Sequence, residues 1–183
     1  MIFRVAFVCV VLGALFGCGA RMSGTGSSEA ERTDADGKAV QELKPELPAY
    51  PQDRDLVEFF PGPLGSHRYF IDAKSLSIGK DGIVRYSVVV KTSGGATNVG
   101  YEGIRCSSGE KRLYAMGDRH QKWMEAKRSD WEPIRAGRPN EYQGILYSEY
   151  FCPDRAAVLP DRETALRALR SGRRESEMRG DHL

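Results

Sequence analysis

Hydrophobic and polar positions alternate most regularly over residues 83–91 (IVRYSVVVK). Val84, Tyr86, Val88 and Val90 share one face there, and Arg85, Ser87 and Lys91 share the other. A period of two with one apolar side predicts a strand half buried against a core. A strand begins at Arg68 in RYFID, and AKSLSIGKDGIV carries a turn at Gly79-Lys80-Asp81-Gly82. After the glycine-rich break TSGGA, the segments ATNVGYEGIRC and KRLYAMG form two β-rich arms around Ser107-Ser108-Gly109-Glu110, the pattern of a hairpin. QKWMEA reads as a fifth strand and DWEPI as its exit. Consecutive strands joined by short turns predict an antiparallel meander of about five strands.

Elsewhere the period is helical. In residues 140–152 (NEYQGILYSEYFC), Tyr142, Ile145, Leu146, Glu149 and Tyr150 fall on one stripe, with Asn140 placed as an N-cap and Pro153 beyond the end. The expected helix lies across the sheet, although Gly144 and the aromatic content leave a sixth strand from Tyr142 to Cys152 open. Between prolines, residues 53–60 (DRDLVEFF) predict a short helix capped by Asp53 and stopped by Pro61. Asp161 caps a further short helix, RETALRALRS, closed by Gly172. Its apolar side is small, and acids intersperse with its arginines. Residues 154–183 are therefore expected as a charged, partly helical or disordered tail, not a membrane-surface helix. The class is α+β: an antiparallel sheet with a helix on one face.

The N-terminus changes where this domain is expected to reside. VAFVCVVLGALFG (5–17) follows a short start carrying Arg4, and is too short for a membrane span of about 20 residues. It predicts a signal peptide over residues 1–17. Leu15-Phe16-Gly17-Cys18 resembles a bacterial lipobox, which makes Cys18 the expected lipid attachment site, with cleavage near Ala20 as the alternative. Acyl chains supply about 0.8 kcal/mol per buried CH₂, enough for stable anchoring when two or more are present. Gly19 after the cysteine favours the outer membrane by analogy with enterobacterial lipoproteins. Residues 18–47 are rich in glycine, serine and charge and predict a disordered tether to an envelope domain at 48–153.

Four cysteines follow the same logic. With Cys9 inside the signal and Cys18 acylated, Cys106 and Cys152 are the pair left for an oxidising compartment, and a disulfide is expected. The chain has no Cys-x-x-Cys, so a redox or metal reading of the pair has little to stand on.

Candidate chemistry is sparse. His67, His120 and His182 lack metal-site spacing, and Ser107 and Ser108 fall in a hairpin loop instead of a nucleophile elbow. Asp72, Asp118 and Glu102 are the carboxylates placed to converge at a sheet end, where acids more often serve turns. SGGATNVG lacks the lysine of a phosphate loop. Without Arg4 the chain carries 26 basic and 25 acidic residues, so nucleic acid is not an expected partner. No catalytic residue, metal or cofactor is expected. The aromatic set Tyr69, Tyr86, Tyr101, Tyr114, Trp123 and Trp131 is expected mostly in the core under the helix, with Tyr101, Trp123 and Trp131 as the candidate binding surface.

RYFIDAKSLSIGKDGIVRYSVVV, SGGATNVGYEGIRCSSGEKRLYAMG, the two tryptophans and ILYSEYFCP together resemble the family named after the cryptic neisserial protein, over roughly residues 48–153. That family is found in proteobacterial envelopes and brings no activity, so the resemblance implies no catalytic residue. More distantly, Tyr69-Phe70-Ile71-Asp72 with Ser75-Leu76, a strand cysteine, a tryptophan and a closing cysteine are similar in layout to protein E type surface-adhesin lipoproteins. The expected function is a non-enzymatic binding or structural module, held to the outer membrane by its lipid and facing the periplasm. Its expected partner is an envelope protein or cell-wall component. A displayed adhesin or a periplasmic enzyme accessory is the alternative.

Overall fold

The computed structural model describes residues 41–61, 67–135, 142–154 and 158–180, the side chains of 173–180 excepted. The expected signal peptide, Cys18, the tether through residue 40, the cap Asn140 and His182 lie outside the described residues.

An eight-stranded antiparallel sheet forms the frame, with strands β1 (Leu56–Phe59), β2 (Arg68–Asp72), β3 (Ser77–Ile78), β4 (Ile83–Lys91), β5 (Thr97–Arg105), β6 (Glu110–Gly117), β7 (Trp123–Glu125) and β8 (Glu132–Pro133). The order is β1-β2-β4-β5-β6-β7, with β3 on β4 and β8 on β6. The meander is as expected, but among the described residues its strands number eight, not five. The three beyond expectation are β1, β3 and β8, whose four, two and two residues are too few to carry a decisive period.

Residues 53–60 correct the helical expectation. Only Asp53–Asp55 turns, as a 3-10 helix, and Leu56–Phe59 pairs with β2 as an edge strand. Leu56, Val57 and Phe59 gain more by extending the sheet and burying Phe59 than a single isolated turn returns.

The helical reading of residues 142–152 holds in an irregular form. One turn of α1 (Tyr142–Ile145) runs into a π-helical segment (Leu146–Phe151), and Pro153 follows its end. Leu146, Tyr150 and Phe151 are buried against Phe59, Tyr69, Tyr86 and Ile104 of the sheet. Cys152 then bonds to Cys106 at the end of β5, with both sulfurs inside the core and the Cα atoms 5.5 Å apart.

The C-terminal segment differs most from expectation. Residues Arg162–Gly180 form one long helix, α2, and Ala165, Leu166 and Leu169 are buried in the main core. Asp161 caps it as expected, its carboxylate accepting the Thr164 N–H at 2.7 Å. Arg162 donates two hydrogen bonds to the Ala73 carbonyl, tying the first turn to the loop after β2. Gly172 does not end this helix. It stands where a Cβ would overlap the Tyr150 ring, so it lets the two helical segments touch. A small apolar face is a weak helix in isolation but a sufficient one when a sheet already offers the complementary surface.

Two predictions follow from this packing. Cys106→Ser and Cys152→Ser should each lower the unfolding free energy by about 2–5 kcal/mol, with the double variant no worse than either, read by denaturant melts; unequal single effects would contradict the bond. Leu169→Ala should cost about 2–5 kcal/mol in the same assay, whereas a solvated tail would give a change near zero.

Candidate functional site

The face of β4 that carries Arg85 and Ser87 is not open to water. Arg85 is 5 % exposed and Ser87 0 %, so the strand is covered on both sides, against the expectation of one buried side. The cover comes from residues 41–50, an irregular strap made of the end of the expected tether (41–47) and the start of the expected domain. Glu42 is its centre. The Glu42 carboxylate accepts hydrogen bonds from Arg112 Nη1 at 2.7 Å, Tyr114 O–H at 2.9 Å and Trp131 Nε1 at 2.9 Å. Arg85 and Arg105 stand 3.7 and 3.9 Å from the same group.

Register explains how these side chains meet. Arg85 pairs across the sheet with Gly103, and Gly103 with Arg112, so the two arginines flank a residue without a side chain. A β-bulge between Tyr101 and Glu102 makes Tyr114 the extra residue of β6 and keeps its side chain on the strap face. The Tyr114 ring then lies over Gly103, where any Cβ would collide with it. Arg105 stacks on Trp131 at 4.0 Å and pairs with Glu110 at 3.2 Å. Arg85 is held by both oxygens of Asp81, at 2.6 and 3.1 Å.

The strap backbone is gripped as well. The Leu43 N–H donates to Asp81 at 2.9 Å, and its carbonyl accepts from Arg85 at 2.9 Å. Further along, the Pro48 carbonyl accepts the Trp123 indole N–H at 2.8 Å, and Tyr50 packs on the Trp123 ring. Past Tyr50 lies a groove of about 490 Å³ bordered by Lys91, Asp118 and Arg119.

The three aromatic residues picked out as a binding surface are thus on one face, with a correction to each. Tyr101 is buried against Tyr114 and Ala115, Trp123 is half-buried beneath the strap, and Trp131 is half-buried against Glu42. They lie opposite the helices, not under them. Of the three carboxylates, Asp72 caps the turn after β2 and Asp118 the turn after β6, with β4 and β5 between their strands. His67 stacks near Tyr69, and His120 is exposed in a turn, accepting from Arg119. Among the described residues no group of three histidines, cysteines or acids is placed to hold a metal ion, and no helix is long and apolar enough to cross a membrane.

Glu102 points to the other face. Tyr142 and Tyr86 hydroxyls and the Gln143 amide all donate to its buried carboxylate, fixing α1 to β5. Burial pushes its carboxyl above the ordinary value of 4.5, against the pull of those donors. Asp81 moves the other way: burial raises it, but the hydrogen bonds from Arg85 and Leu43 outweigh that and hold it below 3.8.

Fold and site define an α+β domain with one sheet face packed by helices and the other covered by an acidic strap over an arginine–aromatic floor. A family profile covers residues 35–170, and the chain belongs to the CNP1-like family, which is functionally uncharacterised. Neither the curated proteins nor the solved structures give a match to it. The likeness to protein E type adhesins finds no support in these comparisons.

The two shifted carboxyls set opposite pH limbs. Glu102 binds its proton more readily folded than unfolded, so acidification from neutrality should stabilise the fold until about its unfolded value of 4.5. Asp81 contributes stability above 3.8 that is lost as pH falls through its lower folded value. Denaturant melts across pH should therefore show a mildly acidic maximum, with Glu102→Gln flattening the neutral limb and Asp81→Asn the acidic one.

Proposed function

We propose that the protein is a lipid-anchored, non-enzymatic binding module of the cell envelope, facing the periplasm, which engages an envelope protein through the arginine–aromatic face of its sheet. The observation that carries this reading is the convergence of Arg112, Tyr114 and Trp131 on one carboxylate. Arginine and tryptophan held on a rigid sheet recognise an anionic group at small entropic cost, and such residues dominate binding hot spots. The groups that would make an acid–base pair are instead engaged in turns or in pinning α1.

The anchoring part rests on the apolar run that ends in Leu15-Phe16-Gly17-Cys18. The Cys106–Cys152 bond supports an exported, oxidising setting. In this reading Cys18 takes the lipid and the segment after it spaces the domain from the bilayer. The test is fractionation with metabolic palmitate labelling. The native chain should label and float with outer membrane, while Cys18→Ala should lose the label and appear soluble in the periplasm. Protease applied to intact cells should leave the domain uncut, since a surface-displayed adhesin would be shaved. An unlabelled native chain, or equal fractionation of the variant, would overturn the anchoring.

A further inference from the structure

We propose that the arginine–aromatic face is a binding site for an extended, carboxylate-bearing peptide segment of a partner protein, and that residues 42–50 occupy it in cis as an exchangeable strap. The inference rests on the binding-module reading above and names the chemistry of its partner.

The strap is held as a ligand is held. It adds no strand to the sheet, and its grips are one carboxylate, the two main-chain groups of Leu43, the Pro48 carbonyl and the Tyr50 ring. Its two leucines do not turn inward: Leu43 is 51 % exposed and Leu47 43 %. A segment whose leucines stay in water gains little from burial beyond the Tyr50 ring, so polar contacts mainly hold it and can be exchanged for equivalent ones. Asp81 and Arg85 read the backbone N–H and C=O of one residue, which any extended peptide can offer.

Charge sets the ligand class. Arg85 is paired by Asp81 and Arg105 by Glu110, both from the sheet and its turns, while the carboxylate on Arg112 is the strap's Glu42. Lifting the strap leaves one positive charge together with the Tyr114 and Trp131 donors, the complement of a single carboxylate and a poor match for a doubly charged phosphate. The floor also has unused capacity. Arg85 Nε and Ser87 Oγ are buried there and have no hydrogen-bond partner among the described residues, although nearly all buried polar groups find one. A ligand with further acceptors can use groups that the strap leaves idle.

The test uses the full mature chain and a fluorescent peptide of residues 40–50, VQELKPELPAY. In the native protein the cis strap competes at a high effective concentration, so binding should be weak. Glu42→Ala, with folding checked by circular dichroism, should bind the peptide at least tenfold more tightly than the native chain. The same peptide with glutamine at its glutamate equivalent to Glu42 should lose at least tenfold, and adding Arg112→Ala to the Glu42→Ala chain should abolish binding. A folded Glu42→Ala chain that binds no better, or glutamate and glutamine peptides that bind alike, would overturn the inference. If Glu42→Ala does not fold, the Trp131 indole N–H resonance of the native chain should shift with millimolar peptide, and its failure to shift would overturn it equally. Concentration-dependent dimerisation abolished by Glu42→Ala would assign the site to a second copy and overturn the partner. In envelope crosslinking, a partner captured equally by native and Arg112→Ala chains would remove this inference and leave the binding-module reading standing. Capture of no partner would remove that reading itself.

Discussion

A guanidinium buried as deeply as that of Arg85 is tolerated only with anions and acceptors around it, because desolvation of an unpaired charge costs several kcal/mol. Its partners come from two places: Asp81 in the turn that leads into β4, and the strap, through the Leu43 carbonyl and the nearby Glu42 carboxylate. Asp81 in turn accepts the Leu43 N–H. The arginine on the central strand therefore links the turn, the strap and, through Glu42, the donors Arg112, Tyr114 and Trp131 from β6 and the loop before β8. Remove the strap and a network with balanced charges becomes a site lacking one carboxylate.

The opposite face depends on a different constraint. There the sheet presents Phe59, Tyr69, Ile71, Val84, Tyr86, Val88 and Ile104 to two helical segments, and the disulfide fixes the end of the first one to β5. That face is apolar, closed and covalently stapled, while on the other face the strap is held mainly by hydrogen bonds and ion pairs over arginines and an aromatic cluster. In the proposed reading the two sides of one sheet divide the work, with rigidity from the helices and recognition from the side that the strap covers. Glu102 fits this division, a polar pin for α1 inside the rigid half.

Much of the frame was legible in the chain. Alternation in residues 83–91, the hairpin around Gly109 and the meander are all present, because strands with one apolar face announce themselves by period. The edge strand at Leu56–Phe59 reads as a helix in sequence because four residues fit either period. The sequence of α2 predicts a charged, partly helical or disordered tail because the surface that buries Leu166 and Leu169 is tertiary and leaves no mark in the helix itself. On the strap face, the chemistry of Trp131, Trp123 and Tyr101 marks them as candidates in the sequence, but Glu42, which joins Trp131 to Arg112 and Tyr114, is not legible there. Glu42 sits in a stretch whose composition signals disorder, and nothing local distinguishes it from the charges beside it. The available signal was arginine at Arg85, Arg105 and Arg112 on three neighbouring strands, more charge than one solvated sheet face needs.

Amide hydrogen exchange on the native chain, with and without the strap peptide, tests the central claim most directly. The account predicts that the peptide accelerates exchange at Leu43 and its neighbours while β4 and β5 stay protected, because a trans ligand displaces the cis strap from an unchanged floor. Peptide binding with the strap amides still protected, or loss of protection in β4 alongside them, would show the strap to be a fixed part of the fold and would contradict the account.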